Sequence, residues 1–202
     1  NKKYLKNLRC KAINKKNDFI FDLLSERIVD SLEIISLDFE KILILGDDGT
    51  KICKYIKKKF KTSSLTIYDN KKIKSNYKDL YSFKEDIIDL DLWKNKKEEY
   101  NLVLSNLFLS LCDNIENIIN KIMNSLIPNG FFLATLPSPE NLNSLKSAMI
   151  QTDIEMYGGA YNRFNRTVDL KNMIDILKKV NFKIPSVNLE NIKLEYKDFD
   201  NL

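Results

Sequence analysis

The sequence predicts an α/β domain with a doubly wound, mostly parallel sheet, and three observations predict it. The stretch from Glu40 to Thr50 runs four branched apolar residues (Ile42, Leu43, Ile44, Leu45) into Gly46-Asp47-Asp48-Gly49 and then into residues with helical spacing, which reads as strand, tight turn, helix. Downstream, apolar runs bounded by turn residues alternate with segments of helical period, the pattern of repeated β-α units. Near the end, two expected strands at 182–187 and 192–196 are joined by a short Asn-Leu-Glu-Asn connection, too short for a helical crossover, so the last strand is expected to run antiparallel.

In order, residues 1–16 are basic and weakly patterned and are expected to form an arm or short helix over a domain spanning 17–202. A helix from Asp18 carries Ile20, Leu23, Leu24, Ile28 and Leu32 on one stripe, with Asp22, Glu26 and Asp30 on the other face. After strand one, a helix at 51–60 buries Ile52, Tyr55, Ile56 and Phe60, and strand two, at 65–68, stops at Asp69-Asn70. Residues 71–84 read as a short helix with a loop, and a short third strand ends near Asp86. Strand four is the buried run within 98–106.

Asp113 and Glu116 have the spacing of a capping box and open a helix with Ile115, Ile118, Ile119, Ile122, Met123 and Leu126. Pro128-Asn129-Gly130 is expected to end it ahead of strand five, at 131–136. Residues 140–156 have helical spacing, Gly158-Gly159 follows, and Thr167 can cap a further helix bearing Leu170, Met173, Ile174, Leu177 and Val180.

At 202 residues the chain suits one α/β domain with a full core. The 33 Lys and Arg against 28 Asp and Glu give a net charge of +5, but the excess is lysine scattered among asparagines, so nucleic acid is not indicated. Cys10, Cys53 and Cys112 are too widely spaced for a Cys-x-x-Cys pair and fit a reducing compartment, with neither a disulfide framework nor a zinc site. With no histidine, the commonest general base and metal ligand are both missing. No apolar run approaches the ~20 residues of a membrane span, and the expected location is cytoplasmic.

In doubly wound sheets ligands lie beyond the carboxyl ends of the strands, and the turn after the first strand usually meets a cofactor. A small-molecule site would therefore start at Gly46, although Gly-Asp-Asp-Gly lacks a complete Gly-x-Gly-x-x-Gly and also reads as an ordinary turn. Asp69 lies about 20 positions on, at the end of the next strand, where a carboxylate can accept both hydroxyls of a ribose. It reads equally as part of a strand-terminating Asp-Asn turn.

The order and spacing of several motifs carry a resemblance. Asp18-Phe19 through Ser25-Glu26-Arg27-Ile28 precede strand one, and strand four reads Leu102-Val103-Leu104-Ser105-Asn106-Leu107. Leu126-Ile127-Pro128-Asn129-Gly130-Phe131-Phe132 leads into strand five, and Gly158-Gly159-Ala160 is followed by Arg163. From Asp18 to Leu202 the chain resembles the class I S-adenosylmethionine-dependent methyltransferases. Within them it is most similar to the group holding the malonyl-carrier-protein methyltransferase of biotin synthesis and the methyltransferase-like assembly factor of respiratory complex I.

The resemblance implies a Rossmann-like, seven-stranded sheet with an antiparallel last strand, helices on both faces, and S-adenosyl-L-methionine as cofactor. It implies that Gly46, Asp47 and Asp48 form the loop at the methionine part, that Asp69 binds the ribose, that Asp86 and Ile87 flank the adenine, and that Ser105 and Asn106 floor the sulfonium. Members of the group usually continue beyond the position of Leu202.

Where the group's first motif reads acidic-x-Gly-x-Gly-x-Gly, this chain has Ile44-x-Gly46-x-Asp48-x-Thr50. A side chain at Asp48 obstructs close backbone approach, and its carboxylate would lie near the cofactor's own. Where the group often has His-Trp, this chain has Ser110-Leu111. Methyl transfer from an activated sulfonium to a carboxylate needs positioning and desolvation more than a base. Arg163 or Arg166 could hold such a carboxylate, or form a local ion pair.

Three functions follow as expectations: methyl transfer to a small acid or a protein-bound acyl group, such as one on a carrier protein; a cofactor-deficient assembly or chaperone factor acting on a protein client; or a different Rossmann-like binder.

Overall fold

The computed structural model describes residues 19–46, 51–61, 64–69, 83–86 and 90–195. Asp47, Asp48 and Ile87, the basic arm at 1–16 and the expected helix and loop at 71–82 lie outside the described residues.

Helix α1 (Phe19–Ile34) leads to β1 (Lys41–Leu45), α2 (Lys51–Lys59), β2 (Ser64–Asp69), β3 (Phe83–Asp86) and β4 (Tyr100–Asn106). Then come α3 (Ile115–Ser125), β5 (Leu126–Thr135), α4 (Asn143–Tyr157) and α5 (Leu170–Lys179). The five strands form one sheet in the order β3-β2-β1-β4-β5, and every pair is parallel.

Period-two alternation distributes β1 between two cores. Ile42 and Ile44 join Ile28 and Leu32 of α1 and Ile52 and Ile56 of α2 on one face. Leu43 and Leu45 join Ile118, Ile119 and Ile122 of α3 and Met173 and Leu177 of α5 on the other. Helices thus cover both faces, and a strand buried on both sides needs the unbroken apolar run that β1 has.

Four expectations need correction. Asn114, not Asp113, caps α3, its side chain accepting from the N–H of Asn117 at 3.0 Å. The reason is Asp91, whose carboxylate takes the N–H groups of Asp113 at 2.8 Å and Asn114 at 3.2 Å and holds the chain one residue short of the capping box. Asp169, not Thr167, caps α5, accepting from the N–H of Asn172 at 2.8 Å.

The Pro128-Asn129-Gly130 turn does not separate α3 from β5, because it lies within the strand. Tyr100 pairs with Leu126 and Leu102 with Phe131, so the three extra residues bulge out, with Asn129 at φ 65°.

Finally, residues 182–195 form no strand, so the described residues hold five parallel strands rather than the seven with an antiparallel last strand. Pro185 removes a ladder donor from the middle of the first expected strand. Phe182 instead stacks on Phe132 at 5.8 Å, and Glu190 is held by both Nε and Nη2 of Arg27 on α1, at 2.7–3.0 Å. A cleft of about 1820 Å³ opens along β5, lined by Phe131, Leu133, Thr135 and Leu189 but by neither Gly46 nor Asp69. No described helix is long and apolar enough to cross a membrane.

Candidate functional site

The chain builds β2 and β3 to one side of β1 and then returns to lay β4 and β5 on the other, so the winding reverses between β1 and β4. Crevices in such sheets open at the carboxyl ends of the strands beside that reversal. Leu45 pairs with Ser105 across it, which places Gly46, one residue further, beside Asn106.

Gly46 has φ 73°, a conformation side chains resist, so glycine is required at the turn. Its N–H donates to the carbonyl of Tyr68 at 2.7 Å, continuing the β1–β2 ladder by one bond.

Asp69 ends β2 and Asp86 ends β3, and the two are register partners in the parallel pair. Asp69 is fully buried, at 0 % exposure. Two carboxylate residues at adjacent strand ends, one strand away from the Gly46 turn, stand where the topology puts a ligand.

Ser105 and Asn106 are buried as well, and their polar atoms are engaged within the protein. Ser105 Oγ donates to the carbonyl of Leu45 at 3.1 Å. Asn106 Nδ2 donates to the carbonyl of Phe21 and to Ser25 Oγ, both at 3.1 Å. Its Oδ1 accepts from Thr135 Oγ1 at 2.7 Å, so Asn106 clamps α1 to β5 through the end of β4. Ser25 Oγ completes the chain by donating to Phe21 O at 2.7 Å. These bonds are those a buried amide needs.

Beyond β4, Leu107 takes φ 56° and starts a 3₁₀ turn at Phe108–Leu111. Phe108 is 1 % exposed, and a Cβ built on Gly46 would lie 2.1 Å from Cγ of its ring. The aromatic ring therefore fills the space that the glycine leaves.

The two arginines differ. Arg163 forks onto Asp153 of α4, with Nε to Oδ2 at 3.1 Å and Nη2 to Oδ1 at 2.5 Å, and stacks over the Tyr161 ring at 5.4 Å. The hydrogen bond from Arg163 holds the Asp153 carboxyl below its usual range, and Asp153 raises Arg163 in return. Arg166 is exposed and enters no ion pair among the described residues. Between them, Asn165 Nδ2 donates to the carbonyl of Ser110 at 3.2 Å, which ties the arginine segment to the turn after β4. The structure thus brings Gly46, Asp69, Asp86, Ser105 and Asn106 to one edge of the sheet and anchors the Arg163–Arg166 loop to the same side of β4.

Sequence reasoning missed Phe108, Thr135 and Asp153. The only available signal for Phe108 was a large aromatic three residues after the buried Ser105.

No family model matches the sequence. The chain is 28% identical over 99 residues to "Arginine-hydroxylase NDUFAF5, mitochondrial" of Dictyostelium discoideum, covering 49% of this chain and 23% of that protein. It is 18% identical over 184 residues to the protein of the same name from Danio rerio, covering 91% of this chain and 57% of that one. The chain thus spans between about a quarter and just over half the length of these curated relatives. Among solved structures, it is similar to an S-adenosylmethionine-dependent methyltransferase from Mesorhizobium loti, with a TM-score of 0.58 at 14% identity, covering 82% of this chain and 84% of that one. The fold of this chain is that of the class I S-adenosylmethionine-dependent methyltransferases.

Proposed function

We propose that this methyltransferase-like protein binds S-adenosylmethionine, or its demethylated product, at the carboxyl ends of β1, β2 and β3, and serves a methyl transfer to a small acid or a protein-bound acyl group. The observation that carries this reading is the register pairing of Asp69 with Asp86 beside the Gly46 turn. Asp69 would accept the ribose hydroxyls, Asp86 with Ile87 would flank the base, and Gly46 with Asp47 and Asp48 would face the amino-acid part. When bound, the cofactor supplies an electrophilic methyl on its sulfonium. Ser105 and Asn106 would then act as a rigid floor, their polar atoms already satisfied, and Arg166 would hold an acceptor carboxylate, since Arg163 is engaged by Asp153.

The residues fit the nucleoside part of the cofactor better than its amino-acid part. The Gly46 N–H is engaged by Tyr68 and the space at its Cα by Phe108. A second reading, a factor that works by contact with a protein client, is favoured by one observation: Ile150, Ile154, Met156, Tyr157 and Tyr161 of α4 and its following loop are all exposed apolar residues, a composition common at protein interfaces. Both curated relatives are named for arginine hydroxylation, which makes an arginine-bearing client protein the partner to test first under this reading. The wide spacing of the three cysteines suits a reducing compartment, the cytoplasm or the mitochondrion that the relatives' name indicates.

Isothermal titration with S-adenosylhomocysteine tests the first reading. Binding by the wild type that Asp69→Asn weakens about tenfold or more supports it, on the scale of a lost hydrogen bond to a charged acceptor. Absence of heat with the wild type favours the second.

A further inference from the structure

At the carboxyl end of β1 the protein itself occupies both the N–H and the free face of Gly46. Gly46 offers a ligand neither its N–H, which is bonded to Tyr68, nor the space beside its Cα, which the Phe108 ring fills. The ring is held firmly. Leu107 N–H donates to the carbonyl of Thr135 at 3.1 Å, Ser110 Oγ donates back to Leu107 O at 2.6 Å, and the ring packs in the core that includes Leu45, Tyr68 and Trp93. Displacing a buried aromatic from such packing forfeits its close contacts and leaves a cavity.

In the order β3-β2-β1-β4, a nucleoside whose ribose meets Asp69 on β2 has one end over β3 and the other over β1 and β4. A base fits the first direction, beside Asp86, so the 5′ substituent must take the second, toward Gly46 and Phe108. We propose that Phe108 is a specificity-determining residue that closes the β1–β4 end of the crevice, so that the site recognises the nucleoside and gains nothing from a long 5′ tail. This inference rests on the nucleoside reading of the Asp69 and Asp86 ends.

Adenosine and S-adenosylhomocysteine share ribose and base, and only the second carries an amino-acid tail. Titration calorimetry of both into the wild-type chain is expected to give affinities within about threefold of each other, whereas Phe108→Ala gains about tenfold for S-adenosylhomocysteine and leaves adenosine unchanged. Phe108→Leu, which keeps most of the buried volume, is expected to change in the same direction by a smaller factor and serves if the alanine variant does not fold. A wild type that prefers S-adenosylhomocysteine tenfold or more overturns the inference without any variant, as does an affinity ratio that neither substitution moves. Adenosine binding with that strong preference for the tail leaves the nucleoside reading standing. Failure of wild type and variants to bind either ligand overturns both.

Discussion

Asp69 and Asp86 are register partners at the carboxyl ends of β2 and β3, and Asp69 is fully buried. Asp69→Asn keeps the shape and removes the charge. It is expected to lower adenosine affinity by about tenfold, as titration calorimetry would show.

Gly46→Ala combines a strained positive φ with a Cβ only 2.1 Å from the Phe108 ring. It is expected to cost at least ~2 kcal/mol in urea unfolding. Because the two costs share one neighbour, Phe108→Ala in the same chain should recover part of the loss, a coupling of about 1 kcal/mol in a double-mutant cycle. Strict additivity would mean that the ring and the glycine do not touch.

Asn106→Ala leaves the carbonyl of Phe21 and the hydroxyls of Ser25 and Thr135 without the amide that joins α1 to β5. A loss of about 2–4 kcal/mol is expected, well above that of an exposed substitution. Thr135→Val on the Asn106→Ala background should then cost little more.

The Asp153–Arg163 pair gives a pH dependence. The folded Asp153 carboxyl lies below its usual range because Arg163 hydrogen-bonds it. The unfolded chain therefore takes up the proton first as pH falls, so the pair stabilises at neutral pH and its contribution is lost as pH drops through the folded value. Residues 158–165 should resist proteolysis at pH 7 and lose that resistance below the ordinary carboxylate range. Asp153→Asn should remove the protection, and with it the pH dependence.

Much of the sheet could be read in the sequence because strands buried on both faces need unbroken apolar runs, and β1 and β4 have them. The position of Asp69 was legible for a related reason: a charged residue that closes the largely apolar run of β2 marks the strand's end, whereas Asp86 closes a strand that is itself charged, Phe83-Lys84-Glu85-Asp86. The cap of α3 moved because a tertiary partner, Asp91, decides between neighbouring polar residues, and that of α5 falls on Asp169, which bonds Asn172 locally. The expected strands beyond 182 depended on local alternation, and Pro185 and the Arg27–Glu190 pair outweigh it. The resemblance sets Ser105 and Asn106 under the ligand, and their side-chain bonds go to Leu45, Phe21, Ser25 and Thr135. Composition shows that a polar residue is buried, not what satisfies it. The place of the Phe108 ring depends on the Leu107 backbone, which no periodicity encodes.

The most direct measurement is the change in backbone amide NMR shifts when adenosine is added to the full chain. Perturbations are expected to cluster at Gly46, Asp69 and Asp86, with α4 unaffected. Perturbations confined to α4 and the loop after it, or none at saturating nucleoside, would contradict the nucleoside reading.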